Sequence, residues 1–251
     1  MKESPEILKC FDPISLADMN KVKLLDRLDK KYMFHVSKFP DILAHAMSDY
    51  YALVIDGKNY AAYETTYFDT PDYQMYTMHH NGKLNRYKVR FRTYVDSNLN
   101  FFEIKFKTNK GRTIKSRIML PEKDLSLTGD VKKLLEKKTA YKAEDLVPAM
   151  QVNYNRITLV NKKMTERITL DFNLDYMSHG KKVEIPELVI AEIKQDRSDK
   201  SPFVTIMQEK RILPVSLSKY CLGIASIVEN VKLNNFKPKV RYVNQLFCKS
   251  A

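Results

Sequence analysis

The chain has 251 residues, of which 44% are hydrophobic and 29% are charged, and its formal net charge is +13. This composition excludes a disordered chain and is sufficient for one large domain or two small ones. The excess of positive charge favours an anionic partner, such as nucleic acid, a phosphorylated ligand or an acidic membrane surface.

Three cysteines, Cys10, Cys221 and Cys248, lie far apart in the sequence and without CxxC spacing. Neither a disulfide framework nor a zinc site is therefore predicted, and a reducing compartment is expected. No stretch approaches 18 apolar residues, so no transmembrane segment is predicted. The N-terminal residues MKESPEILKCFD lack the apolar core of a signal peptide, and the expected location is the cytoplasm.

Residues 1–24 are predicted to form a lead-in before the first strand. Alternation of apolar and polar residues begins within residues 24–36, where Arg27 and Lys31 share one face of the predicted strand. Further along, the pattern predicts a helix capped by Ser37, a strand over residues 60–69 and a short helix over residues 71–79.

The segment from residue 86 to residue 117 alternates with a period of two and is predicted to form a meander of three strands. One face of the meander is apolar, and the other is almost purely cationic, with Glu103 as its one carboxylate. The basic side chains are Arg86, Lys88, Arg90, Arg92, Lys105, Lys107, Arg112, Lys115 and Arg117. Like charges repel across strands, so a bound polyanion would stabilise this face, although a solvated basic face has the same pattern.

The second half of the chain repeats the pattern of strands with one basic face. Arg167 and Asp171 share a face of one strand, and Glu192 and Lys194 share a face of another. Strands are predicted over residues 150–160, 165–174 and 188–195, and helices within 122–147, 201–213 and 216–228. Residues 231–251 are predicted to form a basic, peripheral C-terminal tail.

About eight alternating strands, joined mostly by hairpins, predict an α+β fold with an antiparallel sheet or closed barrel and helices outside. In an open sheet, the cationic face could simply be solvated. In a closed barrel, the cations would line the interior while the apolar residues pack outward against the helices. Glu103 and Glu192 would then point inward as counterions, or as ligands of a divalent metal that bridges phosphate oxygens.

Nine motifs in order resemble the VTC domain, the polyphosphate polymerase domain of the eukaryotic vacuolar transporter chaperone complex, which also has stand-alone bacterial relatives. The motifs are RLDKKYMF at 27–34, TYFDTPDYQMY at 66–76, YKVRFRTY at 87–94, FEIKFK at 102–107, KSR at 115–117, VNYNRITL at 152–159, ERITLD at 166–171, AEIK at 191–194 and LSKY at 217–220. No single motif is specific, whereas their order is. The resemblance extends over about residues 25–227, and the domain belongs to the CYTH-like triphosphate tunnel metalloenzymes.

The resemblance implies a VTC domain over residues 25–230, folded as an eight-stranded antiparallel β-barrel that forms a basic tunnel with helices packed outside. It further implies ATP-dependent polyphosphate polymerase activity, in which the γ-phosphate of ATP passes to the growing chain. Glu192 would be the principal ligand of Mn²⁺ or Mg²⁺, with Glu103 as a second. Catalytic roles are implied for Lys31, Arg90, Arg92, Lys105, Arg156, Arg167, Lys194 and Lys219. Further phosphate contacts are predicted for Arg27, Lys88, Lys115, Arg117, Tyr154 and Ser218.

The first strand departs from the pattern of the wider superfamily, which often opens with ExExK. This chain has Arg27-Leu28-Asp29-Lys30-Lys31 there, so the first strand offers fewer carboxylates that could hold a metal to activate water. A metal-dependent tripolyphosphatase or nucleoside triphosphatase is nevertheless an alternative function, and a non-catalytic polyphosphate-binding module is another.

The expected partners are ATP and polyphosphate. Nucleic acid is not expected, because a narrow tunnel would exclude duplex DNA and the strands lack an exposed aromatic and basic platform. Neither a phosphate-sensing domain nor membrane helices are predicted in this chain, and recruitment by a membrane protein is left open.

Overall fold

Alternating strands build most of the structure, a computed structural model that describes residues 6–19, 21–22, 27–197 and 200–248. The strands are β1 (Pro13–Ile14), β2 (Arg27–His35), β3 (Tyr50–Leu53), β4 (Ala61–Asp69), β5 (Arg86–Tyr94), β6 (Leu99–Lys107), β7 (Thr113–Leu120), β8 (Val147–Asn161), β9 (Glu166–Ser178), β10 (Lys181–Ile185) and β11 (Leu188–Asp196). The helices are α1 (Leu16–Met19), α2 (Phe39–Ala46), α3 (Gln74–His80), α4 (Gly129–Lys138), α5 (Pro202–Glu209), α6 (Lys219–Ile227) and α7 (Lys237–Cys248). Short 3₁₀ helices span Glu6–Cys10, Val36–Lys38 and Ala143–Asp145.

Eight strands form one continuous path in the order β2-β11-β9-β8-β4-β5-β6-β7, and neighbours on this path are antiparallel. The remaining strands β1, β3 and β10 join the sheet off the path, with β1 parallel to β3. The predicted α+β class and the large antiparallel sheet are confirmed. The accessory strands are short, and the sequence pattern did not reveal them.

The predicted closed barrel is not formed by hydrogen bonds among the described strands. β2 and β7 are the two ends of the path and share no ladder. The outer edge of β2 is instead occupied by the segment that precedes α6. There Tyr32 forms an isolated bridge with Pro214, and the Val215 amide donates to the Lys31 carbonyl over 2.7 Å. This segment takes the position in which another strand would pair with β2.

The sheet curves towards one side, which we call the inner face. Lys31 on β2 and Lys88 on β5 are five steps apart on the strand path, about 24 Å in a flat sheet. Their amines nevertheless reach neighbouring residues, since Lys31 donates to the Leu217 carbonyl over 3.2 Å and Lys88 to the Ser218 hydroxyl over 2.8 Å. Side chains stand roughly perpendicular to a sheet, so this convergence requires curvature.

Helices cover the opposite, outer face of the sheet. In one half, Phe34 of β2 packs in a buried cluster with Phe39 of α2 and Phe203 of α5. In the other half, Phe102 of β6 packs in a cluster with Leu135 of α4. Because successive side chains of a strand point to opposite faces, this outward packing leaves the charged positions on the inner face.

Helix α6 covers the apolar end of the inner face. Met33 and Ile190 lie two residues from Lys31 and Glu192 on the same strands, and they belong to one buried cluster with Tyr220 of α6. The inner face therefore has an apolar end under α6 and a charged remainder. The sequence pattern predicted α6 as an amphipathic helix but did not reveal which face of the sheet it covers.

The C-terminal segment packs into this same cluster, so the predicted peripheral position of the tail is wrong. Phe236 and Val243 are buried, and the Tyr242 hydroxyl donates to the Met33 carbonyl over 3.2 Å. Together with Val240, these apolar residues recur at helical spacing among many charges, which gives α7 one packing face. Within the described ranges, no helix combines the length and the apolar character that a membrane span needs.

Gly223 allows α6 to lie close to the sheet. A Cβ atom at this position would overlap the ring of Tyr176 and lie 3.1 Å from the sulfur of Met150. We expect Gly223→Ala to lower the free energy of unfolding by roughly 1–3 kcal/mol, because overpacking forces neighbours to shift. Urea unfolding followed by circular dichroism measures the effect, with Ser226→Ala in the same helix as the control. An unchanged urea midpoint for Gly223→Ala would show that the neighbouring side chains can shift without a loss of stability.

Candidate functional site

Strand register places the predicted site residues on the inner face. Lys31 stands opposite Glu192 across β2 and β11, and Arg90 stands opposite Glu103 across β5 and β6. The same alternation brings the other predicted strand residues to this face: Lys88, Arg92, Lys105, Lys115, Arg117, Tyr154, Arg156, Arg167 and Lys194. Ser218 and Lys219 join them from the beginning of α6. Arg27 belongs to β2 by its backbone, and its side chain lies outside the described part.

Asp171 is a deeply buried carboxylate of the inner face, with 1% of its surface exposed. It accepts two hydrogen bonds from Arg156, of 2.6 and 2.8 Å, and it also pairs with the amine of Lys219. Burial raises the pKa of Asp171, but Arg156 and Lys219 outweigh burial and lower it to about 2. Asp171 therefore orients two predicted phosphate ligands, a role that the sequence did not assign to it.

Glu103 organises a second group of cations. Its carboxylate accepts from the Arg90 Nε over 2.6 Å and pairs with a second nitrogen of the same guanidinium. Burial raises the pKa of Glu103, but Arg90 and Arg92 together lower it to about 2. Since both guanidinium contacts converge on one carboxylate, Glu103 acts as the counterion of Arg90.

Tyrosine side chains connect the two groups. Tyr63 and Tyr154 stack with ring centroids 5.1 Å apart, and the Arg156 guanidinium lies 4.9 Å and 5.3 Å from the two centroids. Arg92 donates to the Tyr154 hydroxyl over 3.0 Å, and the Lys219 amine lies 4.7 Å from the Tyr154 ring. Tyr63 was not among the predicted residues, and its neighbours Ala62 and Glu64 give no clear alternation that could have identified it.

Glu192 differs from the other two carboxylates because it pairs with a lysine and not with an arginine, through the Lys194 amine at 3.2 Å. Burial raises its pKa, but Lys194 and Lys31 bring it below the ordinary value, so the carboxylate is ionised. Thr169 stands opposite Glu192 in register; it is 6% exposed, and its hydroxyl has no hydrogen-bond partner in the structure. A carboxylate beside an unpaired buried hydroxyl supplies oxygen ligands of the kind that Mg²⁺ or Mn²⁺ prefers.

These two oxygen donors fit a metal that is also held by phosphate oxygens. In the part of the chain that the structure describes, no three His, Cys, Asp or Glu side chains group to hold a metal. Mg²⁺ is commonly bound by one or two carboxylates together with substrate phosphates. Glu192 suits such a shared site, whereas Glu103 and Asp171 are occupied by arginines.

The beginning of α6 points cationic groups at the inner face. The Ser218 hydroxyl accepts from the Cys221 amide over 3.4 Å, capping the helix, and it also accepts from the Lys88 amine. Lys219 follows in the first turn, a position that the helix dipole disfavours for a cation, and its pairing with Asp171 offsets this cost. The amide groups and the amines together form a site suited to anions.

Positive charge is crowded at Lys105 and Lys88. Arg90, burial and Arg92 lower the pKa of Lys105 to about 5. Burial lowers the pKa of Lys88 to about 8, and the charge of Lys31 adds to this effect. A bound anion would relieve this crowding, because it stabilises the protonated form of each amine.

Two predicted phosphate ligands lie on β7, the last strand of the path. Lys115 and Arg117 are exposed because β7 ends the strand path. The Arg117 guanidinium lies 4.9 Å from the centroid of the Phe101 ring. These two side chains extend the basic face beyond the enclosed groups around Glu103 and Asp171.

One solved structure of low sequence identity shares the fold of this chain. The Hippeastrum protein HpAC1, described as a candidate adenylyl cyclase with a dominant triphosphatase activity, has a TM-score of 0.50 and 11% identity, covering 78% of this chain and 94% of its own. A Vibrio parahaemolyticus protein, described as a candidate adenylate cyclase, has a TM-score of 0.47 and 12% identity, covering 79% of this chain and 97% of its own. No curated protein sequence matches the chain.

The chain belongs to the VTC domain family, whose model matches residues 26–228. The resemblance identified from the motifs is thereby confirmed over most of the chain. The cytoplasmic location and recruitment by a membrane protein stay predictions.

Proposed function

We propose that the protein is an ATP-dependent polyphosphate polymerase that transfers the γ-phosphate of ATP to a growing polyphosphate chain on the inner face. Membership of the VTC domain family supports this assignment. The observation that carries it is the crowding of cations at Lys105, which stands directly opposite Lys88 on β5 and Lys115 on β7. The pKa of Lys105 is accordingly lowered to about 5, with the largest contribution from Arg90. Such a concentration of one charge costs folding free energy, which a bound polyanion offsets.

The inner face offers two groups of cations, as a transfer between two phosphate chains requires. The group around Glu103 comprises Arg90, Arg92 and Lys105. The group around Asp171 and Glu192 comprises Lys31, Arg156, Lys194 and Lys219. Arginine binds two phosphate oxygens at once, whereas lysine acts as a point charge. Phosphoryl transfer depends mainly on positioning and charge neutralisation, so these groups can orient donor and acceptor without a covalent intermediate.

Glu192 and the Thr169 hydroxyl are the proposed protein ligands of Mn²⁺ or Mg²⁺, with Glu103 left as a counterion. When bound, the metal supplies charge neutralisation at the transferred phosphoryl group. Lys194, which lies beside Glu192, would contact phosphate oxygens and not the metal, because Lys194 and the metal are both positively charged. The Glu192–Lys194 pair would bind the metal through Glu192 and a phosphate through Lys194.

The contact between Cys221 and His79 does not supply a nucleophile in this proposal. Their Sγ and Nδ1 atoms lie 3.1 Å apart, and Cys221 is buried. Burial raises the pKa of Cys221, and burial together with Lys88 lowers the pKa of His79 to about 2. Since a reactive cysteine needs an accessible thiolate, this pair has a packing role, and the transfer proceeds directly to the chain end.

Phosphorus NMR of the purified protein with ATP and Mn²⁺ tests the proposal. A growing signal from internal chain phosphates, with ADP formed in step, is the expected result. Free phosphate without chain growth would instead assign a triphosphatase. Retained binding of polyphosphate without any turnover would assign a binding module.

Lys105→Met should stabilise the ligand-free protein and weaken its binding of tripolyphosphate. The unfolded chain keeps this amine protonated up to about its ordinary pKa of 10.5, whereas the folded chain loses the proton near pH 5. Between these values the unfolded state binds more protons, so this group makes the free energy of unfolding rise with pH. Removing it should raise the Tm at pH 7 by roughly 2–4 °C, corresponding to about 1 kcal/mol, and flatten the rise with pH.

Thermal unfolding of this variant between pH 5 and pH 9, with and without tripolyphosphate, measures both effects. Lys137→Met on the exposed side of α4 is the matched control, because it removes a lysine far from the inner face. A lower Tm for the ligand-free Lys105→Met variant would contradict the crowding of charge at this position.

A further inference from the structure

The inner face changes from charged to aromatic at one end of β5 and β6. Arg92 stands opposite Phe101, and Tyr94 stands opposite Leu99 in the next inner-face pair. On β7, Met119 stands opposite Phe101. The sequence pattern predicted no exposed aromatic and basic platform, because the register that unites these side chains depends on the strand pairing.

These side chains are accessible, unlike the apolar residues at the end covered by α6. Met119 is 67% exposed and Leu99 is 44% exposed, while Tyr94 and Phe101 are half-buried. The rings of Tyr94 and Phe101 meet edge to face with centroids 5.7 Å apart, and Tyr63 lies 4.8 Å from Tyr94. The arrangement forms an aromatic shelf, defined by Tyr94, Phe101 and Met119.

The shelf continues the line of cations along the strands. Along β6, Phe101 lies about 13 Å from Lys105, since strands rise by about 3.3 Å per residue. This distance is comparable to the reach of a triphosphate and its ribose. Arg117 lies against the Phe101 ring and Arg92 is its cross-strand neighbour. A ligand that carries both an aromatic ring and a chain of phosphates matches this arrangement, in which an aromatic surface is followed by a cationic one.

Charge argues against a second copy of the chain as the occupant. A symmetric contact through the shelf would bring the arginines that flank it in both copies against each other, and like charges repel. The small extent of the shelf also suits one base better than a run of bases. Stacking on aromatic side chains accepts every base, because each base has a π face.

We infer that Phe101 and Tyr94 form a stacking site for the base of a nucleoside triphosphate, whose phosphates extend past Arg92 towards Lys105. This inference rests on the proposed function, because it assigns the phosphate donor of that reaction to the end of the inner face that carries the aromatic shelf. The site discriminates a nucleotide from inorganic tripolyphosphate, and it accepts adenine and guanine alike.

Binding of ATP and of tripolyphosphate to the full chain, measured by calorimetry in one buffer, tests the inference. Phe101→Leu keeps an apolar side chain and removes the ring, and it should weaken ATP binding by about tenfold while leaving tripolyphosphate binding within about twofold. Phe101→Tyr should restore ATP binding. Ile114→Leu, at an exposed position on the outer side of β7, is the matched control and should change neither affinity.

A triphosphate of 2-aminopurine riboside provides a second readout, because stacking quenches the fluorescence of this base. Quenching with the wild-type protein and its loss in Phe101→Leu are expected. Equal loss of both ligands in Phe101→Leu, or no loss of ATP binding, would overturn the stacking site while the proposed function stands. Failure of the wild-type protein to bind either ligand would overturn both.

Discussion

Glu192→Gln should abolish metal-dependent polyphosphate synthesis, with a loss of at least about 100-fold, while polyphosphate binding changes little. The carboxylate is ionised because Lys194 and Lys31 outweigh the effect of burial on its pKa. Glutamine keeps the size of the side chain and one acceptor oxygen but removes the charge that holds the metal. A metal contributes several kcal/mol of charge stabilisation to such a reaction, whereas binding of the chain depends on the cations.

Synthesis and binding must be measured separately for this variant, by phosphorus NMR and by calorimetry with long-chain polyphosphate. Glu64→Gln is the matched control, because Glu64 lies on the other side of β4 and pairs with Lys123. Undiminished synthesis in Glu192→Gln would remove the assigned metal role. Loss of binding together with synthesis would show instead that Glu192 maintains the arrangement of the cations.

Asp171→Ala should lower the free energy of unfolding by about 3–5 kcal/mol, because it leaves a buried guanidinium without its counterion. Arg156 loses two charge-assisted hydrogen bonds, and Lys219 loses its ion pair. The folded-state pKa of Asp171 is lowered to about 2, so its stabilising contribution is present above pH 4 and is lost as the pH falls towards 2. The difference between wild type and variant should therefore shrink in acid.

Two further measurements separate the counterion role from general packing. Added tripolyphosphate should recover part of the lost stability of Asp171→Ala, because phosphate oxygens replace the carboxylate beside Arg156. The double variant Arg156→Met with Asp171→Leu removes both charges and should lose less stability than Asp171→Ala alone. A double variant less stable than the single one would contradict the proposed counterion role.

The distribution of residues between the two faces of the sheet could be predicted from the sequence alone. The side-chain period of a strand is two, so Arg90 and Lys105 must each share a face with the residues two positions away in the sequence, whatever the position of the strand in the sheet. The turns at residues 96–98 and 109–111 also predicted that β5, β6 and β7 would be neighbours. These local rules identified most of the inner-face cations correctly.

The role of Asp171 could not be predicted in the same way. Its position on the basic face is visible from its alternation with Arg167, but its partner Arg156 lies on a different strand. Which residues oppose each other depends on the register between β8 and β9, which shifts between Asn153 and Asn155. Register is set by packing across the sheet and not by the pattern within one strand.

By itself, the sequence determined the eight strands of the main path, their two chemically distinct faces and the family, because these depend on local alternation and ordered motifs. Only the tertiary structure decided that Pro214 and Val215 occupy the edge of β2, that α6 covers one end of the inner face, and that α7 packs into the core. Each of these contacts joins segments distant in sequence. Their formation depends on which apolar surfaces remain uncovered once the sheet has curved, and no local pattern contains that information.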